Sequence, residues 1–130
     1  MRKSQLYING KFINSKNTYI RKNPATLEPL QEVSLASKKD IEYACTCAKN
    51  AFELWSETPP LLRGQALFRI AAQIKEKINF LSLINTQETG KPINESTIVE
   101  LGGVIRTFEY YGGLASKIKG NSQVINKDLL

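Results

Sequence analysis

Histidine and cysteine, two residue types that often act in nucleophilic catalysis and metal binding, are absent or scarce in this sequence of 130 residues. It contains no histidine, so it lacks the usual base that activates a serine or cysteine nucleophile and the commonest zinc ligand. Its two cysteines, Cys45 and Cys47, lie in a stretch of helical periodicity, where side chains two positions apart point to different sides of the helix. We therefore expect neither a shared metal nor a disulfide, and we interpret both as small buried or half-buried apolar residues in a reducing compartment.

The sequence also lacks the motifs that bind phosphate groups. Neither G-x-G-x-x-G nor G-x-x-x-x-G-K-[ST] occurs. Glu95, Glu100 and Glu109 are dispersed along the exposed face of a predicted helix, so their spacing does not create a pair of catalytic carboxylates. The nearby aromatic residues have the helical spacing of core positions. By itself, the chain is a poor candidate for a self-contained enzyme.

The net charge of +6 is concentrated at one end of the sequence. Residues 1–27 carry six basic residues and no acid, while the rest of the chain is balanced. A nucleic-acid-binding arm is one interpretation, and lysines and arginines that protect exposed strand edges are the other, favoured one. No apolar run approaches the roughly 18 residues that span a bilayer, and the start lacks the apolar core of a secretory signal, so we expect a cytoplasmic protein.

The first 36 residues have the pattern of short β-strands. The runs "LYI" and "FI" flank Asn9-Gly10, and because both of these residues tolerate a positive φ, they predict a tight β-hairpin. Two further strands are predicted around residues 19–20 and from residue 32 to 36, separated by a turn at "NPATLEP".

From residue 37 onwards the periodicity is helical, and we predict about four helices. Ser37 caps the first one, with Asp40 as its capping-box partner. An apolar stripe at spacings of three and four follows. It consists of Ile41, Ala44, Cys45, Ala48, Ala51, Phe52 and Trp55.

The other three helices are predicted from their caps and breakers. Thr58 is expected to cap the second helix and Asn79 the third, and the fourth is expected to run from about Asn94 to Lys119. Gly64 in the second helix indicates close packing. The glycine pairs at 102–103 and 112–113 indicate either an interruption of the fourth helix or close packing of neighbouring backbone, and we favour close packing.

The stretch "QETGKP" separates the third and fourth helices. Gly90 can adopt the left-handed conformation that ends a helix, and Pro92 cannot continue one. Glu88 and Lys91 have no such local explanation, and we place Lys91 on the surface.

Several landmarks occur in a fixed order along the chain. They are "LYINGKFINS", "NPAT", "A-x(2)-AF-x(2)-W", "P-x(3)-RGQALFRIAAQI", "ETGKP" and "FEYYGGLASKIKG". Together they resemble the N-terminal portion of the NAD(P)-dependent aldehyde dehydrogenase superfamily, over residues 6 to about 120. The segment "GKPINESTIVELGGVIRTFEYYGGLA" looks most like the betaine aldehyde dehydrogenase branch.

The resemblance implies a fold class and a reaction. Residues 1–130 would form an incomplete α/β unit, the N-terminal segment of an NAD(P)-binding domain, with a hairpin and short strands followed by helices. In the family, a cysteine thiolate attacks the aldehyde, hydride passes to NAD or NADP, and a glutamate assists hydrolysis of the acyl-enzyme. Those residues lie downstream of the matched region, so Cys45 and Cys47 do not correspond to the nucleophile, and we expect no catalytic or cofactor-binding residue in this chain.

The resemblance also implies a monovalent cation site. In family members that have one, the acid at the position of Glu88 and the backbone carbonyl at the position of Lys22 contribute oxygen ligands to Na⁺ or K⁺. The alternative is that Glu88 is solvated or paired with Lys91.

Two hypotheses of function follow. The first is a truncated or split aldehyde dehydrogenase whose isolated chain is inactive and which needs the remaining part of the enzyme. The second is a non-catalytic interaction module that self-associates or binds a partner chain through its apolar stripes.

Overall fold

A computed structural model of the chain describes residues 2–117, 119 and 120, in which short β-strands precede a helical part. One sheet has three strands in the order β1-β5-β4, and β2 and β3 form a separate hairpin. The strands are β1 (Arg2–Ser4), β2 (Leu6–Ile8), β3 (Lys11–Ile13), β4 (Thr18–Lys22) and β5 (Pro29–Ser34). The predicted α/β class is thus confirmed.

The hairpin has the predicted turn. Asn9 has a φ of 52° and Gly10 a φ of 75°, and the flanking strands pair antiparallel from Leu6 opposite Ile13 to Ile8 opposite Lys11. Two positive φ angles match the twist of the strands, as a two-residue hairpin loop requires.

The three-stranded sheet contains one strand that the sequence pattern did not predict. β1 pairs parallel with β5, whereas the predicted β4 pairs with β5 antiparallel. β1 is three residues long and fully exposed, so it has no alternation of apolar and polar residues to detect. β5 ends at Ser34, two residues before the predicted end.

The first helix, α1 (Lys38–Glu57), begins with the predicted capping box. The Ser37 hydroxyl accepts a bond from the Asp40 backbone N–H (3.3 Å), and the Asp40 carboxylate accepts one from the Ser37 backbone N–H (2.8 Å). The Ser37 hydroxyl also donates to the Asp40 carboxylate (2.7 Å). This side-chain bond and, second to it, the bond from the Ser37 backbone N–H lower the pKa of Asp40 below its usual 3.8.

We predict that the capping box of α1 fails in acid. Because the pKa of Asp40 is lowered in the folded chain, its contribution to stability is present above about pH 4 and is lost as the pH falls through the lowered value. In Ser37→Ala the free energy of unfolding should fall by about 1 kcal/mol at neutral pH. Urea unfolding of the wild-type chain and of Ser37→Ala from pH 2 to 7 measures both effects. If Ser37→Ala lowers the free energy of unfolding by the same amount at pH 2 and at pH 7, this role of Asp40 is contradicted.

The next two helices lack the predicted side-chain caps. In α2 (Pro60–Glu76) the N-cap is Pro59, and Thr58 instead donates its hydroxyl to the Leu54 carbonyl (3.0 Å) at the end of α1. Helix α3 (Ile78–Thr89) begins one residue before Asn79, directly after Lys77. Both predicted caps are therefore wrong. The N-cap position of α2 falls on Pro59, whose side chain cannot accept a hydrogen bond, and Lys77 precedes α3 in a conformation that is not extended.

The fourth predicted helix changes its winding along its length. Glu95–Leu101 is a π-helical turn, and α4 (Gly102–Leu114) continues it as a regular α-helix. The change of winding falls at the glycine pair 102–103, and α4 ends five residues before the predicted Lys119. The extended segment suggested by the final sequence "NSQVINKDLL" lies outside the described residues.

Close helix packing is confirmed at one glycine contact. A Cβ atom on Gly64 of α2 would lie 2.6 Å from the Gly112 carbonyl oxygen, and a Cβ on Gly112 of α4 would lie 3.2 Å from the Gly64 oxygen. By contrast, a Cβ on Gly103 or Gly113 would meet at most an ordinary contact. A Cβ on Gly102 would lie 3.3 Å from the end of the Arg106 side chain in its own helix. Close packing between helices therefore explains Gly64 and Gly112 and does not explain Gly102, Gly103 and Gly113.

The described residues bury few apolar side chains. Ile8, Ala71 and Ile105 are the buried hydrophobic residues among them, and α1 has no buried residue at all. Cys45 is exposed and Cys47 half-buried, so the interpretation of Cys45 as buried or half-buried was wrong. Within the described part of the chain, none of the helices has the length and hydropathy needed to span a membrane.

Candidate functional site

The end of α3 is the point where the helical part meets the three-stranded sheet. Residues 87–91, which we call the α3 junction, contain the last turn of the helix and its stop. Gly90 has a φ of 77° and donates its N–H to the Thr86 carbonyl (2.9 Å), so it ends the helix in the predicted left-handed conformation.

Each strand of the sheet sends one hydrogen-bond donor to the α3 junction. Arg2 of β1 donates to the Gln87 side chain (2.7 Å), and Arg21 of β4 donates to the Glu88 backbone carbonyl (3.1 Å). Gln31 of β5 donates its amide to the Glu88 carboxylate (2.8 Å). The last carbonyls of a helix lack partners within the helix and carry partial negative charge, so these donors, two of them cationic, suit this end of α3.

The turn between β4 and β5 packs against the same junction. A Cβ atom on Gly90 would lie 3.1 Å from Cγ of Pro24, in the "NPAT" stretch. The Asn23 carboxamide oxygen accepts a bond from the Ala25 N–H (2.8 Å) and Leu27 has a φ of 60°, which fixes the shape of this turn. Two of the sequence landmarks, "NPAT" and "ETGKP", are therefore in contact.

The structure brings Glu88 to the strand that carries Lys22, the two residues of the predicted cation site. Arg21 is paired with Gln31 across the sheet, and the register shifts between Arg21 and Lys22. The available ligand types, a carboxylate and a backbone carbonyl, are hard oxygens that suit Na⁺ or K⁺. The Arg21 guanidinium, which donates to the Glu88 carbonyl, already places a positive charge beside Glu88.

Among the described residues, no group of three His, Cys, Asp or Glu side chains could hold a metal ion. The monovalent cation remains a prediction.

Lys91, which had no explanation from sequence, forms an ion pair with Glu100 in the π-helical turn. Both side chains are about 40% exposed (39% and 41%), so Lys91 is half-buried rather than simply on the surface. The hydrogen bond that Lys91 donates to the Glu100 carboxylate is the main cause that raises the pKa of Lys91 above 10.5. Glu88 bonds Gln31 instead, so the pairing of Glu88 with Lys91 that we considered is not formed.

We predict that the Lys91–Glu100 pair contributes to stability up to strongly alkaline pH. Because the pKa of Lys91 is raised in the folded chain, its contribution is fully present below 10.5 and is lost as the pH rises through the higher folded value. Unfolding curves from pH 8 to 12 should therefore show a steeper loss of stability in the wild-type chain than in Lys91→Met. Parallel curves for the two proteins would contradict the prediction.

A second polar contact joins α3 to the π-helical turn. The buried Ser96 hydroxyl accepts bonds from the Asn85 amide (3.2 Å) and the Thr86 hydroxyl (2.9 Å). Sequence reasoning missed these residues and also missed Arg2, Arg21 and Gln31. The sheet donors lie 57 to 85 residues from their acceptors, so no local spacing could have identified them.

An open groove of 480 Å³ is lined by residues of α2, Lys77 and the start of α3. Ile70, Ile74 and Leu81 supply apolar lining, and Arg69 and Lys77 supply the charged groups. We call it the α2–α3 groove. Its lining has no acidic residue and no nucleophile, so it can bind an apolar or anionic group but has no evident chemistry of its own.

Comparisons with known proteins agree with this arrangement. A model of the aldehyde dehydrogenase family matches residues 12–129. Retinaldehyde dehydrogenase 3 of Mus musculus is 34% identical over 124 residues, which are 92% of this chain and 24% of that protein.

Two solved structures show the same fold. A point mutant of Staphylococcus aureus betaine aldehyde dehydrogenase, in complex with NAD⁺, has a TM-score of 0.90 and 34% identity over 96% of this chain and 26% of its own. The NAD⁺ complex of an aldehyde dehydrogenase from Bacillus cereus has a TM-score of 0.93 and 29% identity over 98% of this chain and 27% of its own. The chain thus spans about a quarter of the length of these relatives. The matched family model, the relatives and the shared fold of strands and helices show that the chain belongs to the aldehyde dehydrogenase family.

Proposed function

We propose that this chain acts as the N-terminal part of an NAD(P)-dependent aldehyde dehydrogenase, in which an aldehyde, water and NAD(P)⁺ give a carboxylic acid, NAD(P)H and a proton. The observation that carries the proposal is that this chain has the same fold as about a quarter of the length of two enzymes that were solved with NAD⁺. The chain's role would be to complete the cofactor-binding domain. The region corresponding to the other three quarters would supply the nucleophile and hold the cofactor.

We expect that none of the residues of this chain binds the cofactor directly. The sequence has neither phosphate-binding motif, and the three donors at the α3 junction are already engaged with Gln87 and Glu88. We therefore assign no step of hydride transfer to this chain. The isolated chain is expected to be inactive.

We propose betaine aldehyde as the substrate, on the resemblance of residues 90–115 to the betaine aldehyde dehydrogenase branch. Overall identity does not decide the substrate, because the retinaldehyde dehydrogenase and the betaine aldehyde dehydrogenase are both 34% identical to this chain. A cytoplasmic location is part of the proposal, since the free Cys45 and Cys47 suit a reducing compartment.

The proposed function can be tested by complementation. The 130-residue chain is co-expressed with the part of Staphylococcus aureus betaine aldehyde dehydrogenase that follows the matched quarter, and NADH formation is measured with betaine aldehyde, retinaldehyde and a simple aliphatic aldehyde. We expect NADH formation by the purified pair and none by either part alone. Turnover by the 130 residues alone, or an inactive pair, would contradict the proposal.

A second candidate function is a non-catalytic module that self-associates or binds a partner. The exposed stripe of α1 favours it, since Ile41, Phe52 and Trp55 are each at least half exposed. Size-exclusion chromatography with light scattering separates the two candidates. A concentration-dependent oligomer that persists in the presence of the complementary region would support the module, whereas its replacement by a one-to-one complex would support the enzyme.

We also propose that K⁺ or Na⁺ binds at Glu88 and the Lys22 carbonyl. The expected result is a thermal unfolding midpoint that rises with millimolar KCl over choline chloride at equal ionic strength, and that loses this dependence in Glu88→Gln. An unfolding midpoint that is the same in KCl and in choline chloride would contradict the cation site. In that case Arg21 and Gln31 alone would hold Glu88 to the sheet.

A further inference from the structure

The turn of the β2–β3 hairpin joins an asparagine directly to a glycine. Asn9 and Gly10 are both exposed, and a Cβ atom on Gly10 would have no neighbour within 4 Å. The strand ladder ends at the pair of Ile8 and Lys11, so the Gly10 N–H lies outside it. The backbone nitrogen of Gly10 is therefore accessible, and it follows the Asn9 carboxamide directly along the chain.

An asparagine followed by a glycine can react with its own backbone. The deprotonated amide nitrogen of Gly10 attacks the carboxamide carbon of Asn9, a C–N bond forms, and the carboxamide nitrogen takes up a proton and leaves as ammonia. Water then opens the resulting succinimide ring at either carbonyl, which gives aspartate or isoaspartate. The reaction needs water and no oxidant or reductant. Glycine favours the ring closure because it has no Cβ atom beside the attacking nitrogen.

Two other asparagines of the chain are less suited to this reaction. The Asn14 carboxamide oxygen accepts a bond from the Gln5 amide (2.9 Å), and Ser15 adds a side chain beside the nitrogen that would attack. Asn23 is followed by Pro24, whose nitrogen carries no hydrogen. Because Asn14 is exposed like Asn9, it serves as the internal reference.

The folded turn protects Asn9 only while the hairpin is closed. Asn9 has a φ of 52° and Gly10 a φ of 75°, and ring closure requires rotation about backbone bonds that this tight turn fixes. The two strands are three residues long each and form a separate two-stranded sheet. Because such a hairpin is marginally stable by itself, it should open often enough for the reaction to proceed in the native chain.

The isoaspartate product cannot rebuild the same turn. It routes the backbone through the former side chain, which adds a methylene group to a two-residue loop whose dihedral angles set the pairing of the strands. The hairpin also forms one wall of a cavity of 260 Å³, and α1 forms the other. The half-buried Cys47 lines the α1 side of this cavity. Displacement of the hairpin should therefore expose the Cys47 thiol.

We propose that Asn9 is a site of spontaneous deamidation and isoaspartate formation, and that this modification releases the hairpin from α1 and exposes Cys47. The reaction lowers the net charge of +6 by one and requires no partner protein. It is independent of the proposed function, because it depends only on the hairpin and the face of α1 that the hairpin covers.

The first measurement follows the conversion in the folded chain. The 130-residue chain is incubated at mildly alkaline pH, with and without urea, and the peptides that contain Asn9 and Asn14 are analysed by mass spectrometry for the change from amide to acid. Enzymatic methyl labelling quantifies the isoaspartate. In the native chain Asn9 should convert at least about tenfold faster than Asn14, because a residue without a Cβ atom follows it. Equal rates, or conversion of Asn9 in urea alone, would overturn the proposal.

Gly10→Asn is the matched control for the chemistry. Asparagine also tolerates the positive φ of this position, so the turn is retained, but its side chain crowds the attacking nitrogen. Conversion at Asn9 should fall at least about fivefold in this variant. An unchanged rate in a variant with an unchanged circular dichroism spectrum would contradict the ring closure.

Release of the hairpin is measured at Cys47. In a Cys45→Ser background, the remaining thiol is titrated with a chromogenic disulfide before and after incubation of the chain. The incubated chain should react at least about fivefold faster, because local opening controls access to a half-buried group. Incubated Gly10→Asn should react like the fresh chain. Isoaspartate at Asn9 without a faster thiol reaction would overturn the proposed release.

Fresh Asn9→Asp separates the added charge from the longer backbone. This variant carries the negative charge in an unaltered backbone, so its thiol should react like that of the fresh wild-type chain. A reaction as fast as that of the incubated wild-type chain would mean that charge alone displaces the hairpin, which would contradict the role of the isoaspartate.

Discussion

Replacing Gly64 by alanine is expected to lower the free energy of unfolding by about 1–3 kcal/mol. The added methyl group would lie 2.6 Å from the Gly112 carbonyl oxygen, which belongs to the backbone of α4 and cannot rotate away. Since α2 and α4 meet at this point, the two helices would have to separate, and both Gly64 and Gly112 are buried. The gain of roughly 1 kcal/mol in helix propensity from alanine offsets only part of the cost.

Gly113→Ala is the matched control for this prediction. Gly113 also lies inside a helix, but a Cβ atom there would have no neighbour within 4 Å. The substitution should therefore be neutral or stabilise the chain by up to about 1 kcal/mol. Urea unfolding monitored by circular dichroism measures both variants, and equal effects of the two would refute the close approach of α2 and α4.

The second large effect is expected at the α3 junction. Arg21→Met should lower the free energy of unfolding by about 1.5–3 kcal/mol, because a charged donor is lost and the part-buried Glu88 carbonyl is left without it. Among the described residues, this bond is one of three side-chain hydrogen bonds that join the strands to α3. Gln31→Leu, which removes the donor to the Glu88 carboxylate, should have a smaller effect in the same direction.

Lys22→Met provides the control for Arg21→Met. The two residues are adjacent in β4, and both substitutions remove one positive charge, but the Lys22 side chain is exposed. The predicted role of Lys22 in cation binding uses its backbone carbonyl, which the substitution retains. A loss of stability in Lys22→Met as large as that in Arg21→Met would mean that net charge, rather than the bond to Glu88, is responsible.

Local features of the fold could be predicted from the sequence because their determinants are local. The hairpin at Asn9-Gly10 and the left-handed stop at Gly90 depend on residues that tolerate a positive φ, and the capping box depends on a spacing of three between Ser37 and Asp40. The same reasoning failed at Thr58 and Asn79, because the cap positions of α2 and α3 fall on Pro59 and Lys77, and neither forms a side-chain cap.

The contacts that organise the candidate site could not be predicted in this way. Arg21, Gln31 and Arg2 reach their acceptors across 57 to 85 residues, and only the fold brings them together. Lys91 found its partner in Glu100, which sequence spacing had placed among the solvated acids. The π-helical turn that carries Glu100 was likewise not predicted, since its composition is that of an ordinary helix.

The apolar stripe of α1 was correctly recognised as a stripe, but it is not covered in the described structure. Trp55 is 50% exposed and Phe52 65% exposed, and α1 has no buried residue. A pattern of apolar residues identifies the face that a helix buries without identifying the partner. The proposed function supplies that partner from the region corresponding to the rest of the relatives.

NAD⁺ binding, measured by isothermal titration calorimetry, tests the central proposal most directly: these strands and helices complete a cofactor-binding domain without holding the cofactor themselves. The 130-residue chain alone should give no binding heat, and its complex with the complementary region should bind NAD⁺ saturably at one site per pair. Saturable NAD⁺ binding by the isolated chain, or none by a well-folded complex, would contradict the account.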